Sequence, residues 1–304
     1  MVEEILKRDA NVVVYDDLSS GRYEFIKKFE KSNRFNFIKG NLLNQKDLET
    51  AMKISKADVV VHLAANPDIR LGTKHTKLDL KLGTIATYNT LEAARKCEVN
   101  DIIFSSSSVV YGKAKIKPTP EDYGPLIPLS LYGAAKLASE GLVTSFANLF
   151  GMNYYIYRFA NVVGKNETHG VIIDFINKLR KNSGVLEVLG DGTQKKSYID
   201  VNDCVEAMLF VYEKSEDNIW NISSNDRITV SEIAKIVVDR VAKGAKIKYT
   251  GTPEGWPGDI TDMFLSNKKL KYLGFVPRKK SREAVENALE MYIKNNLSIN
   301  AFEA

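Results

Sequence analysis

The chain has 304 residues, of which 44% are hydrophobic and 27% charged, a composition typical of a globular protein with a sizeable core. Its net charge of +5 is not concentrated in a basic stripe, which argues against a nucleic-acid-binding protein. Its two cysteines lie too far apart in sequence for a disulfide framework or a metal pair, and no apolar run approaches the ~20 residues that span a bilayer. We therefore expect a cytoplasmic protein that binds no nucleic acid, membrane or metal.

The N-terminal part of the chain alternates short apolar strands with amphipathic helices, which predicts an α/β protein with a parallel sheet. Residues 2–9 are predicted to end a helix, and Val12–Tyr15 to form a strand that Asp16 terminates. A carboxylate at such a strand end can accept hydrogen bonds from both ribose hydroxyls of an adenosine, and it would repel a 2′-phosphate. Asp16 thus favours NAD over NADP; the simpler alternative is a polar residue that only ends the strand.

The following elements continue the same rhythm. We expect a strand at 35–38, a helix at 46–55, a strand at 57–65 that is covered on both faces, and a helix at 77–97. Further along the chain we expect a strand at 195–201, a helix from Asp203 to Lys214, and a helix at 231–243 that Thr229 opens. The small side chains of Ala64 and Ala65 would let the backbone approach a cofactor. His62 is predicted to be a packed core histidine rather than a catalyst.

The stretch from Phe104 to Lys136 carries the strongest chemical signal. An apolar strand runs into four serines, Ser105 to Ser108, and a polar loop then leads to a helix predicted from Leu131 to Phe150. Open α/β sheets bind ligands at the carboxyl ends of their strands, and this is where Ser107 lies. The simpler alternative is a serine-rich turn followed by an ordinary surface helix.

Tyr132 and Lys136 lie four residues apart on that helix, which places them on one face. A free tyrosine has a pKa of about 10, and a neighbouring ammonium would lower it towards the working pH of a general base. We therefore predict that Ser107, Tyr132 and Lys136 form a proton-transfer site beside a nicotinamide ring. The spacing alone is weak evidence, because Tyr23 and Lys27 repeat it in what we predict to be only an amphipathic helix.

These residues resemble the extended short-chain dehydrogenase/reductase family, in its nucleotide-sugar epimerase branch. The similarity rests on Ser-Ser-Ser-x-x-Val-Tyr-Gly at 105–112, on Tyr-Gly-x-x-Lys at 132–136 and on Asp-Asp-Leu-Ser-Ser-Gly at 16–21. It implies that Tyr132 is the base, that Lys136 binds the nicotinamide ribose, and that Ser107 orients a sugar hydroxyl. The resemblance also implies NAD contacts beyond those of Asp16, Tyr132 and Lys136, at Asn41, Leu42, Leu63, Ala64, Ala65 and Ser105.

The resemblance extends to the substrate side of the chain, with departures. It implies substrate contacts at Asn161, Gly170, Val171, Lys196 and Asp259, in addition to Ser107. Lys196 and Trp256 stand where the family usually has phosphate-binding arginines, and Lys lacks the bidentate fork of Arg. Leu80 stands where the family usually has an Asn that faces the nicotinamide end of the cofactor. Arg278 is a candidate to replace the missing phosphate-binding arginine. The simpler alternatives are that Asn161 is only a turn residue and that Lys196 is only a solvated lysine.

A Rossmann fingerprint, in which a strand and Gly-x-x-Gly-x-x-Gly precede the first helix, is missing from this sequence. The chain begins inside what should be that helix. This favours a shortened form of a longer protein, and we expect the 304-residue chain to bind NAD weakly.

The fold implied is a Rossmann-like doubly wound parallel sheet, without its first strand, and a smaller C-terminal α/β substrate lobe. We expect residues 1–163 to bind NAD and residues 164–304 to bind substrate, with 196–214 returning to the first domain. The function implied is NAD-dependent 4-epimerisation of a nucleotide sugar of the UDP-glucose/UDP-galactose type, by a homodimer that pairs helices 77–97 and 131–150. Open alternatives are a 4-keto reductase, a 4,6-dehydratase and a non-catalytic dinucleotide-binding protein. The dehydratase is disfavoured because Ser107-Ser108-Val109 contains no carboxylate.

Overall fold

The computed structural model describes residues 1–300, with side chains to residue 295. The chain forms two compact units. The first combines Met1–Ser106 with Ala134–Tyr157, and the second combines Ser107–Gly133 with the chain from Arg158 onwards. The predicted division by ligand at residue 163 stays a prediction, and its last four residues lie outside those described.

The first unit contains parallel strands with helices. Its elements, three of which end or begin just inside the second unit, are α1 (Val2–Leu6), β1 (Val12–Asp16), β2 (Phe35–Lys39), α2 (Gln45–Ser55), β3 (Val59–His62), α3 (Lys77–Asp79), α4 (Ala86–Lys96), β4 (Asp101–Ser107), α5 (Leu131–Phe150) and β5 (Asn153–Phe159). β1 pairs in parallel with β2, β3 pairs in parallel with β4, and β5 lies beside β4. The core is formed by apolar side chains of α2, α4 and β4, among them Leu48, Leu91 and Ile103.

Local sequence signals explain where these helices begin and end. The Asn44 side chain accepts the backbone N–H of Asp47, which caps the start of α2. Ser130 accepts the N–H of Gly133 at the start of α5, 3.1 Å away. α5 ends where Gly151 adopts φ +69°, a left-handed conformation that glycine adopts without strain. The predicted bounds of α5 are confirmed.

Three predictions about this unit are wrong in detail. The strand at 57–65 is shorter, and Val59, Val60 and Val61 are only partly buried because β3 is the edge of its sheet among the described strands. The predicted helix at 77–97 contains a π-helical segment at Leu80–Ile85 between α3 and α4. The predicted amphipathic helix around Tyr23 is two short 3₁₀ turns, so Tyr23 and Lys27 do not share a face of one α-helix.

The second unit has a mixed architecture of short strands and longer helices. Its elements are β6 (Asn161–Val163), α6 (Val171–Lys181), β7 (Val185–Val188), β8 (Lys195–Lys196), β9 (Tyr198–Asp200), α7 (Val201–Lys214), β10 (Ile219–Ile222), β11 (Ile228–Thr229), α8 (Val230–Val241), β12 (Lys246–Tyr249), β13 (Asp262–Met263), α9 (Lys268–Leu273) and α10 (Ser281–Asn300). One apolar core joins α6, β7, α8 and α10, with Ile172, Leu186, Ile233 and Val285 fully buried.

Polar side chains determine where the helices of this unit begin. Thr229 and Glu232 form a reciprocal capping box that starts α8, as predicted for Thr229. The predicted strand at 195–201 is interrupted at Ser197 and becomes β8 and β9. α7 is capped by Asp200, so Asp203 lies inside its first turn rather than at its start. None of the helices within the described residues is both long and apolar enough to cross a membrane.

Candidate active site

Lys136 lies almost completely buried in the first unit, with 3% of its surface exposed. Its Nζ donates a hydrogen bond of 2.5 Å to the backbone carbonyl oxygen of Ser105 and lies 4.9 Å from the centroid of the Phe104 ring. Burial lowers the pKa of the ammonium to about 8, although the charge of Glu140 acts in the opposite direction. Lys136 therefore still carries its proton at neutral pH, held at the end of β4.

Tyr132 lies in the first turn of the helix that carries Lys136, since both residues belong to α5. Residues four apart on an α-helix lie on one face, with Cβ atoms about 5–6 Å apart. The helix therefore provides the spacing that the sequence predicted for a phenol beside an ammonium. The joint site of the two side chains with a substrate stays a prediction.

Ser107 is the last residue of β4, where its side-chain oxygen accepts the backbone N–H of Val109 at 3.4 Å. This bond caps a 3₁₀ turn over Ser108–Tyr111 and fixes the serine side chain. A hydroxyl can accept two hydrogen bonds and donate one, so Ser107 retains the capacity to donate to a sugar oxygen.

Ser105 is buried, and its predicted contact with NAD stays a prediction. The residue is 7% exposed, and its hydroxyl donates to the His62 carbonyl oxygen at 3.1 Å. It is the Ser105 carbonyl that contacts Lys136. The sequence could not separate these roles because strand hydrogen bonding, rather than residue type, decides where each group points.

Glu140 is a residue that the sequence analysis missed. It is 5% exposed, and its carboxylate accepts a hydrogen bond from the buried hydroxyl of Ser106. It lies one further helical turn beyond Lys136 and raises the lysine pKa against the effect of burial. The signal that could have revealed it is the repeat of four in Tyr132, Lys136 and Glu140.

His62 is buried as predicted, with 5% of its surface exposed. Its Nε2 lies 3.0 Å from the Thr87 hydroxyl, and its ring stacks on Phe104. Desolvation lowers the pKa of His62 to about 3, with the charge of Lys136 as the second cause. The imidazole is therefore neutral in the folded protein at physiological pH.

Several residues predicted to contact NAD lie at the carboxyl ends of β1 and β3. Asp16 uses one carboxylate oxygen to accept the N–H of Leu18 at 2.7 Å. Gly21 leaves space beside that carboxylate, because a Cβ at Gly21 would come within 3.4 Å of it. After β3, Leu63 is 46% exposed and Ala64 is also exposed, which leaves an apolar surface that a cofactor could cover.

Asn41 and Leu42 are less available than predicted. The Asn41 side chain donates to Asp17 and accepts from the N–H of Leu43, and the Leu42 carbonyl accepts from the side chain of Asn89. Asn41 is nevertheless exposed. Leu80, the departure predicted to face the nicotinamide end, is 52% exposed at the start of the π-helical segment. The predicted contacts of these residues with NAD stay predictions.

The second unit contains the residues predicted to hold the substrate. Asn161 donates from its side chain to the carbonyl of Ser197 at 3.2 Å, which ties β6 to the segment between β8 and β9. Gly170 and Val171 stand at the N-terminus of α6, where Gly170 has φ +109° and supplies no side-chain cap. Glu167 lies beside Gly170, and burial raises its pKa to about 8.

Lys196 and Asp259 are brought together by the fold although they are 63 residues apart in sequence. The Lys196 Nζ lies 2.6 Å from the Asp259 carboxylate, whose side chain is 2% exposed, and 5.0 Å from the centroid of the Trp256 ring. Arg278 lies elsewhere, paired with Asp203 and Glu206. It is thus already engaged by two carboxylates, which weakens its candidacy as a substitute phosphate ligand.

A family model described as the NAD dependent epimerase/dehydratase family matches residues 1–223. A putative UDP-glucose 4-epimerase of Methanocaldococcus jannaschii is 28% identical over 301 residues, covering 97% of this chain and 94% of the relative. A crystal structure of a UDP-galactose 4-epimerase superimposes with a TM-score of 0.85 at 38% identity, covering 97% of this chain and 94% of the other. A UDP-glucuronic acid 4-epimerase from Bacillus cereus, solved with UDP-glucuronic acid and NAD, gives a TM-score of 0.86 at 25% identity, covering 96% and 94%.

These similarities confirm the predicted fold, a Rossmann-like α/β arrangement of parallel strands and helices. They also confirm the predicted epimerase branch and NAD as the cofactor. The relatives differ in the sugar that their names give, so the similarities define the class of reaction more coarsely than a single substrate.

Proposed function

Because this chain belongs to the NAD dependent epimerase/dehydratase family, we propose that it interconverts the 4-epimers of a nucleotide sugar, of the UDP-glucose/UDP-galactose type. The proposal is supported by the burial of Lys136 and by the four-residue spacing of Tyr132 and Lys136 along α5. A dehydratase would need a carboxylic acid and a base after β4, where this chain has Ser107-Ser108-Val109.

Lys136 and Asp16 would hold NAD at its two ends, Lys136 at the nicotinamide ribose and Asp16 at the adenosine ribose. The bound cofactor supplies hydride-transfer chemistry at C4 of the sugar. Lys136 keeps its position through the Ser105 carbonyl, and its charge favours the phenolate form of Tyr132.

Tyr132 acts as the base in the proposed reaction. Its phenolate takes the proton of the sugar 4-hydroxyl as hydride leaves C4, which gives a 4-keto sugar. Ser107 donates a hydrogen bond to the same oxygen and so aligns it with Tyr132. With the other face of the keto sugar turned to the cofactor, hydride would return to C4 and Tyr132 would return the proton to the oxygen, which gives the 4-epimer.

The test is a product analysis that does not assume the sugar. Purified protein and excess NAD are incubated with one nucleotide sugar at a time: UDP-glucose, UDP-galactose, UDP-glucuronic acid or UDP-N-acetylglucosamine. The products are identified by ¹H NMR. We expect one or more of them to approach a mixture of 4-epimers with no net consumption of NAD. Net consumption of NADPH with a 4-keto substrate would instead identify a reductase, and loss of water a dehydratase.

We also propose that the protein is a cytoplasmic homodimer. Support comes from apolar side chains left exposed on the two helices predicted to pair, with Tyr88 on α4 43% exposed and Leu149 and Phe150 on α5 75% and 48% exposed. Light scattering in solution should give twice the chain mass of 34.1 kDa. A monomer at micromolar concentration would contradict the dimer.

A further inference from the structure

The turn at Gly255–Asp259 presents an aromatic ring where a charged side chain was expected. One oxygen of Asp259 accepts the N–H of Gly255 at 3.1 Å, and its backbone N–H bonds the carbonyl of Trp256 at 3.0 Å. Asp259 therefore both closes the turn and holds Lys196. Trp256 thus lies within a turn that is closed by two hydrogen bonds of Asp259.

The charge at this place is balanced within the protein. Lys196 carries one positive charge and Asp259 one negative charge, and the pair is largely withdrawn from solvent, with side-chain exposures of 14% and 2%. An ammonium has three donors, of which Asp259 uses one. The pair can still donate to a ligand, but it does not add a net positive charge that would attract a diphosphate over distance.

Trp256 offers a ligand carbon surface and not a hydrogen bond. The residue is partly exposed, yet its indole nitrogen is buried and has no hydrogen-bond partner among the described residues. One face of the ring is covered by the Lys196 ammonium. A ligand would therefore meet the ring itself, and flat rings of nucleobases stack on such surfaces whatever their identity.

This surface adjoins the segment that leads into the proposed catalytic helix. Gly258 has φ +89°, and a Cβ there would lie 2.7 Å from the carbonyl oxygen of Leu129. The turn thus packs against the residues that immediately precede Tyr132. We therefore expect the nucleotide part of a substrate whose sugar reaches Tyr132 to lie near this turn.

We propose that the indole of Trp256, backed by the Lys196–Asp259 ion pair, is the stacking surface for the base of the nucleotide sugar. The inference rests on the proposed function, because it names how that substrate is recognised. Recognition by stacking makes binding depend on the presence of a base more than on the second phosphate.

Tryptophan fluorescence gives a direct test, because the chain has two tryptophans. Trp220 is 2% exposed, with its indole N–H bonded to the Asp217 carbonyl. We expect UMP, UDP and dTDP to quench the emission of the wild type, and to quench a larger fraction of it in Trp220→Phe, where Trp256 is the remaining tryptophan. Ribose 5-phosphate, which lacks a base, should leave the emission unchanged.

Calorimetry with the same ligands measures the energetic part. Stacking on an aromatic side chain corresponds to roughly five- to hundredfold in affinity, so Trp256→Ala should weaken UMP and UDP binding by that factor. Trp256→Phe, which keeps a ring, should stay within about threefold of the wild type. Thermal melting of each variant verifies that it is folded, and the wild-type fluorescence result stands independently of the variants.

The outcomes separate this inference from the proposed function. Nucleotides that bind the wild type and Trp256→Ala equally, without quenching, overturn the stacking inference and leave the function standing. Quenching that occurs only with a complete nucleotide sugar places the sugar on the ring and also overturns it. A wild-type protein that binds none of these nucleotides contradicts both proposals.

Discussion

Burial of the single residue Lys136 determines the pKa and the position of its ammonium group. Removing an ammonium from water disfavours its charged form, which is why its pKa is lowered to about 8. The Ser105 carbonyl and the Phe104 ring recover part of that cost. The result is a cation that persists at neutral pH and is confined to one position, as a fixed partner for a phenolate requires.

The buried side chain of His62 makes the stability of the folded protein depend on pH. Its pKa is about 3 in the folded protein, whereas an unfolded histidine titrates near 6.5. Between these values the unfolded chain binds a proton that the folded chain does not, so stability falls as the pH drops below about 6.5. This one group contributes a slope of at most about 1.4 kcal/mol per pH unit.

Urea unfolding at pH 7, 6 and 5 measures this slope. We expect His62→Gln to be less stable than the wild type at pH 7, since a packed ring is lost, but to lose less stability on acidification. His75, which is exposed, provides the matched control, and His75→Gln should keep the wild-type slope. Parallel pH profiles for His62→Gln and the wild type would show that the histidine is not the responsible group.

At the scale of elements, the turn after β4 determines how the chain leaves the strand end. Gly112 has φ +61°, and a Cβ there would lie 1.9 Å from the carbonyl oxygen of Ile127. That contact packs the turn against the loop that approaches α5. Only glycine allows the two backbone segments to come this close.

Gly112→Ala should therefore lower the free energy of unfolding by several kcal/mol, as expected when a clash adds to backbone strain (about 1–3 kcal/mol for strain alone). Gly151→Ala is the matched control, because Gly151 also has positive φ but no described atom lies within 4 Å of its added Cβ. The control should cost only about 1 kcal/mol. Equal urea midpoints for the two variants would mean that the close contact at Gly112 is not present in solution.

Local patterns in the sequence predicted elements better than they predicted contacts. The bounds of α5, the start of α8 at Thr229 and the strand that ends at Asp16 follow from periodicity and capping residues, which act over a few positions. The predicted burial of β3 on both faces was wrong. An apolar run does not show whether a neighbouring strand is present to cover it.

For the whole molecule, the contacts that define the candidate site are between residues distant in sequence. Lys136 meets the Ser105 carbonyl 31 residues away, and Lys196 meets Asp259 across 63 residues. No local spacing encodes such pairs, and motif resemblance predicted the residues without their partners. The ion pair behind the Trp256 ring is a contact of this kind, so the sequence alone did not indicate a stacking surface there.

If Tyr132 on α5 is the base for epimerisation, Tyr132→Phe removes the group that takes the proton from the sugar. With the substrate identified by NMR and NAD in excess, turnover of this variant should fall by roughly 10²–10⁴-fold, the usual contribution of general acid–base catalysis. Tyr23→Phe, which removes the tyrosine of the other Tyr-x-x-x-Lys spacing, should keep wild-type turnover. A folded Tyr132→Phe protein that epimerises its substrate at the wild-type rate would show that Tyr132 is not the base.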